Sequence, residues 1–176
     1  SGLEASGLAD ETAVVFLADH GEQLGEHGLF LKFVMRDASL RTPLMIAGPG
    51  VEAGDVHALV EHVDLFPTVC DLLGEPVPED VSGRSLGPLV RGEPAPEPWR
   101  LGVFSQIGEM REIRTEAAAM TLRGGEPVEL FDLERDPGQR RNVIDDPAQA
   151  DRRASLLGEV ARWQTARSNG VAGGVL

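Results

Sequence analysis

Residues 13–32 read AVVFLADHGEQLGEHGLFLK, and the rest of the chain is best read outward from them. Ala13 to Ala18 is an unbroken apolar run of β-favouring residues, the pattern of a strand covered on both faces. It stops abruptly at Asp19 and His20. In open parallel sheets, functional groups collect at the carboxyl ends of strands, where loops leave the packed core. Gly21 permits a sharp exit there, so both side chains can face one point. A carboxylate oxygen beside an imidazole nitrogen suits a divalent cation. A turn-capping Asp beside a surface His explains the same pair without any ligand.

Twelve residues past His20 stands Lys32, the single lysine of a chain with fifteen arginines. A position that takes an ammonium where the composition would supply a guanidinium points to a compact charge, able to pair with an anionic oxygen or protonate a leaving group. One surface lysine left by chance is the competing explanation. His27, in GEHG, suits a loop role better than a substrate contact. Glu22 and Glu26 need no explanation beyond a solvated loop, and His57 and His62 have no partner signature. Arg41 lies at helical spacing from Asp37, a structural pair.

Outward from this loop, residues 1–8 resemble a helix end, Asp37 to Leu40 a helical turn, and PLMIAGPG (43–50) a second short strand. HVDLFPTVCDLLG (62–74) places Val63, Phe66, Val69, Leu72 and Leu73 on one helical face, opened by Asp64 and Pro67 and closed by Gly74. Residues 75–98 carry six of the twelve prolines and read as an irregular connection, partly ordered by the apolar anchors of SGRSLGPLV. Beyond Trp99 come four short strands, LGVFSQ, REIRT, AAMTL and VELFDL, with RGGEP as a tight turn. A helix follows Pro147, with Leu156, Val160 and Trp163 in step, and 169–176 reads as a frayed tail. The organisation is therefore an α/β segment over 1–98 followed by a small antiparallel sheet plus helix over 99–168. No internal repeat is visible.

Bulk properties narrow the functional classes. A formal charge of −13 disfavours a nucleic-acid partner, which needs clustered Lys and Arg. No apolar run approaches the ~20 residues of a membrane span. Cys70 is the only cysteine, so no internal disulfide forms, and its apolar helical setting points to a buried packing thiol. The opening SGLEASGLADET has neither an initiator Met nor a targeting pattern and reads as a truncation. Compartment and oligomeric state are accordingly left open, and some apolar surface is expected to lie bare.

VVFLADHGEQLGEHGLFLK, SLRTPLMIAGPG, VDLFPTVCDLLG, SGRSLGPLV and ELFDLERDPGQRRNV occur in the order and spacing typical of the C-terminal half of sulfatases. The chain resembles the Asp-His subgroup that includes choline-sulfatase-like, iduronate-sulfatase-like and phosphonate monoester hydrolase enzymes. The resemblance runs from about Gly7 to Trp163. It implies the C-terminal portion of an alkaline-phosphatase-like α/β sandwich plus a small antiparallel α+β subdomain. It also implies that Asp19 and His20 complete a metal site, usually calcium in sulfatases and often manganese in the phosphonate hydrolases, and that Lys32 contacts the transferred sulfuryl or phosphoryl oxygens. The implied substrate is a sulfated small molecule or sugar.

The family nucleophile, a Cys or Ser in an x-Pro-x-Arg context that becomes formylglycine in sulfatases, is absent from the chain, as are the two further acidic ligands. The chain alone is therefore expected to be inactive. Two departures fall late: EAAAM replaces a strand that commonly carries an aromatic and a Lys, and Phe131 stands where Tyr is frequent. A phosphonate monoester or phosphodiester hydrolase is the nearest alternative, and a non-catalytic module that kept the fold is the second.

Overall fold

The computed structural model describes residues 2–168. Its elements run α1 (Gly2–Ser6), β1 (Val14–Leu17), β2 (Gln23–Leu24), β3 (Phe30–Leu31), α2 (Asp37–Leu40), β4 (Leu44–Ala47), α3 (Leu65–Leu73), α4 (Gly87–Val90), β5 (Val103–Ile107), β6 (Met110–Arg114), β7 (Ala118–Arg123), β8 (Glu126–Asp132) and α5 (Ala150–Ser168). The final residues expected to fray, 169–176, lie outside the described residues.

The apolar run AVVFLA does form a strand, but its neighbour is β4, antiparallel, with Val14 opposite Ala47 and Leu17 opposite Leu44. The expectation of burial on both faces is not met: Val14, Phe16 and Met45 are exposed. A two-stranded ribbon covers neither of its own faces, and only one face is partly covered here, where Val15, Leu44 and Ile46 are half-buried. The same correction applies to α3, whose apolar stripe Phe66, Val69 and Leu73 faces outward. What is buried instead is Asp64, just before α3, with Pro67 and Thr68 of its first turn. Cys70 is a free thiol and half-buried rather than enclosed.

Polar bonds explain the inverted burial. The Asp64 carboxylate accepts from Glu61 N at 2.7 Å and Arg84 N at 2.8 Å, and receives Arg100 Nη2 at 2.7 Å. Thr68 Oγ1 accepts from Leu86 N at 2.8 Å, and Trp99 Nε1 donates to Leu59 O at 2.9 Å. These contacts fasten the proline-rich connection to α3, with α4 formed from the SLGPLV anchors. Gly74, at φ 70°, ends α3 as expected.

The core lies in the C-terminal unit. β5 to β8 form an antiparallel four-stranded meander in chain order, turned at Gly108 and at Gly124-Gly125. Period-two alternation gives the sheet two faces. Ile113, Met120, Leu122 and Leu130 bury against Leu156 and Val160 of α5. Trp163 stacks on Phe104 with ring centroids 4.8 Å apart. The opposite face carries Glu112, Arg114, Thr121, Glu129 and Phe131, a mostly polar set turned towards the N-terminal segment. No helix among the described residues is long and apolar enough to cross a membrane.

Candidate active site

Asp19 and His20 leave the end of β1 and fold back on themselves. Asp19 Oδ1 accepts from His20 N at 3.0 Å, and His20 Nδ1 lies 2.8 Å from Gly21 O. A carbonyl oxygen only accepts, so Nδ1 carries a proton, and the Lys32 ammonium on the other side only donates, which makes Nε2 the acceptor with its lone pair. That lone pair faces two groups, Asp19 Oδ2 at 3.4 Å and Lys32 Nζ in direct hydrogen-bond contact. The three residues singled out in the sequence thus meet at one imidazole.

The backbone is bent to bring them there. β2 and β3 form a short ribbon that returns the chain, pairing Gln23 with Leu31. Among the described residues the non-glycines with left-handed φ are His27 (55°), Leu31 (70°) and Gln139 (52°). Leu31 immediately precedes Lys32, and the reversal turns Nζ back towards His20. Such conformations each cost roughly 1–3 kcal/mol and persist where surrounding contacts impose them. His27 sits exposed on the turn and does not join the His20–Lys32 contact. Glu22, Glu26 and His57 are exposed as well, while His62 Nε2 bonds Thr42 Oγ1 at 3.1 Å.

The exit at Gly21 rests on α2. Gly21 N donates to Ser39 O at 2.8 Å, and a Cβ at Gly21 would stand 2.1 Å from Ala38 O, so no other residue fits. α2 in turn is gripped by the polar face of the C-terminal sheet. Arg36 forks onto Glu129 at 2.7 and 3.0 Å and lies 4.3 Å over the Phe131 ring. Arg114 forks onto Asp37 with both bonds at 2.9 Å, while Arg41 pairs with the same carboxylate at 3.5 Å, as its spacing suggested. Beneath this cluster Glu112 is buried against Thr121. Desolvation first, then the Asp37 charge, push its carboxyl up to about 8, against the lowering pull of Arg114 and Arg36.

The donor set fits one corner of a cation's coordination shell. Two ligands about 2.3–2.6 Å from a metal and at right angles to each other are roughly 3.3–3.7 Å apart, and Asp19 Oδ2 and His20 Nε2 are 3.4 Å apart. Asp19 projects into open space, with its side chain 80% exposed. Among the described residues no three His, Cys, Asp or Glu side chains converge on one point, and the Asp19–His20 pair stands without a third such group.

Residues 25–166 match the family described as N-sulphoglucosamine sulphohydrolase, C-terminal. The chain belongs to this sulfatase family. Choline-sulfatase of Rhizobium meliloti (strain 1021) is 35% identical in an alignment of 153 residues that covers 82% of this chain and 29% of that protein. A phosphonate monoester hydrolase from Silicibacter pomeroyi superposes with a TM-score of 0.82 at 33% identity, covering 96% of this chain and 37% of the other. A structure in complex with its substrate D-glucosamine-2-N,6-O-disulfate superposes with a TM-score of 0.81 at 27% identity, over 95% of this chain and 37% of its own. The chain spans about three tenths of the length of the curated relatives it matches. Its mixed helix-and-sheet architecture is that of the alkaline-phosphatase-like α/β sulfatases.

Sequence reading of this sulfatase-family chain missed the support of the site. Arg36, Asp37, Glu112, Arg114, Glu129 and Gln139 come together from segments about 75–100 residues apart, and no spacing rule links them. One signal was legible: Glu112 and Arg114 alternate with Ile113 on a strand whose neighbours bury both faces, which marks charges with partners elsewhere.

Proposed function

We propose that the chain forms one wall of a metal-dependent sulfuric ester hydrolase site, with Asp19 and His20 as metal ligands and Lys32 as the contact to the transferred sulfuryl oxygens. The observation that carries this reading is the setting of the His20 ring: Nδ1 lies 2.8 Å from Gly21 O, and Nε2 turns its lone pair towards Lys32 Nζ and the Asp19 carboxylate. A bound cation, calcium in this reading, would offset negative charge on the nucleophile and the nonbridging oxygens. Nε2 has one lone pair, so a metal-loaded His20 leaves the Lys32 ammonium free to face an anion. Fixed on the left-handed turn at Leu31, that ammonium is aimed before substrate arrives, which is what makes a charge effective in a transition state. With no nucleophile motif in its sequence, the chain contributes binding and positioning, and the attacking group comes from outside these 176 residues.

The test is a chimera in which this chain replaces the matching C-terminal part of the Rhizobium meliloti choline-sulfatase. The chimera releases sulfate in a metal-dependent way, the isolated chain releases none, and Lys32→Ala lowers kcat by ~10²–10³, the usual cost of losing one preorganised charge. Undiminished turnover in the Lys32→Ala chimera, or turnover by the isolated chain, would overturn the assignment. A second reading, phosphonate monoester hydrolysis with manganese, is favoured by the superposition on the Silicibacter enzyme. Faster release from an aryl phosphonate than from an aryl sulfate by the same chimera selects it.

A further inference from the structure

α2 is four residues long, too short to hold its own conformation, and its cap residue Arg36 makes no side-chain cap bond. Its first amide, Asp37 N, donates instead to Gln139 Oε1 at 2.9 Å, across 102 positions of sequence. Gln139 is held at some cost. Its φ is 52°, the residue is only 3% exposed, and its Nε2 is buried without a partner among the described residues. A left-handed non-glycine and an unsatisfied buried amide are both destabilising. The loop 136–141 nevertheless enforces them: Asp136 O accepts from Gln139 N at 3.0 Å, and the Asp136 carboxylate accepts from Arg140 N and Arg141 N at 2.7 Å each. A loop that holds a side chain in an unfavourable state is explained by what that side chain touches, which is the turn under His20.

We propose that Gln139 is a positioning residue, capping α2 from the C-terminal unit and so fixing the Gly21 exit that aims His20 at Lys32. The inference rests on the reading of Asp19, His20 and Lys32 as site residues. The force runs through two hydrogen bonds and the short turn between them: Asp37 N to Gln139 Oε1, and Gly21 N to Ser39 O at 2.8 Å. The Arg114–Asp37 and Arg36–Glu129 forks set where the turn lies, and Gln139 sets which way its first amide points.

Two substitutions in the whole 176-residue chain separate this role from general stability. Gln139→Asn withdraws the acceptor by one methylene, yet Asn is among the residues best tolerated at positive φ, so the fold is kept. Gln139→Glu preserves the acceptor at the same reach. Amide hydrogen exchange and the His20 ring 15N signals are recorded for both. In Gln139→Asn the Gly21 amide exchanges about ten-fold faster, the equivalent of one hydrogen bond. The His20 signals move towards those of Lys32→Ala, and the amides of β7 keep their protection. In Gln139→Glu, Gly21 and His20 stay as in the parent. Unchanged Gly21 and His20 in Gln139→Asn, or equal loss of protection across β7, overturns the proposal. Mn2+ added to the parent tests the underlying reading separately: failure to broaden Asp19 and His20 overturns the donor assignment, while the exchange data still decide the role of Gln139.

Discussion

Glu112→Gln stabilises this protein at neutral pH, and the size of the gain depends on pH in a direction that can be worked out. Glu112 is 2% exposed on β6, and its carboxyl is raised from 4.5 to about 8 by burial and by the nearby Asp37 charge. Between these values the unfolded chain has released the proton and the folded chain has not, so the folded state binds more protons and stability falls as pH rises. Below 4.5 both states are protonated and the penalty vanishes; above about 8 both are ionised and it is constant. At pH 7 the gap is about 2.5 pH units, or roughly 3 kcal/mol at ~1.4 kcal/mol per unit. A glutamine carries no such penalty. It must find an acceptor for its amide beside Thr121 Oγ1, so a net gain of about 1–3 kcal/mol is expected at pH 7. Urea unfolding of parent and variant, followed by tryptophan fluorescence between pH 5.5 and 8, measures it. This range keeps clear of the sequence pI near 4.6, where the chain loses its solubilising charge. The difference should widen steadily with pH. A difference that is flat across the range, or a loss of stability at pH 7, refutes the reasoning.

Arg100→Met should be costly. Arg100 forks between Glu61 at 2.8 Å and the fully buried Asp64 at 2.7 Å, and its removal strands two carboxylates. A loss of about 3–5 kcal/mol in urea unfolding is expected, and a loss under about 1 kcal/mol would show that Arg84 and the backbone amides suffice. The exposed apolar sets on β1/β4 and α3, including Phe16, Met45, Phe66 and Leu73, should bind an environment-sensitive dye in the native state. Titration with no fluorescence gain below the urea transition would mean that those faces are covered in solution.

The sequence was most informative where a local rule acts alone. The β5–β8 meander, α5 with Leu156 and Val160 inward, and the α2 turn all follow from alternation, glycine turns and helical spacing. The meeting of Asp19, His20 and Lys32 in space was legible, because a strand end, a glycine and a solitary lysine each mark the backbone that carries them. Burial of β1 and α3 was misjudged for a physical reason. Apolar pattern reports which face wants covering, and the cover itself need not lie in the same stretch of chain. On α3 the outcome reverses the pattern, because Asp64 and Thr68 find backbone donors while Phe66 stays exposed. For the clamp on α2, alternation on β6 marks Glu112 and Arg114 as charges in need of partners, but the partners themselves could not be read. The clamp's bonds join residue 37 to 114 and 139, and only the folded register of β6 decides that Arg114 rather than Ile113 faces the site.

That register links the two faces of the sheet into one device. On β6, Ile113 points into the core under α5 while Glu112 and Arg114 point to the clamp, so the core is what fixes which charges reach α2. A slip of one residue would bury Arg114 in the core and offer Ile113 to Asp37. The slip is opposed by the glycine turns at 108 and 124–125 and by the irregularity between Thr121 and Leu122, where β8 carries one extra residue. Val128, at that irregularity, gives its carbonyl to Asn142 Nδ2 at 3.0 Å, and Asn142 Oδ1 accepts from Leu130 N at 2.9 Å. The same loop then runs back through residues 136–141, which hold Gln139. Core packing, strand register and the capping of α2 therefore share a single stretch of chain, and the orientation of His20 traces back through Gly21 and α2 to the hydrophobic core of the C-terminal unit.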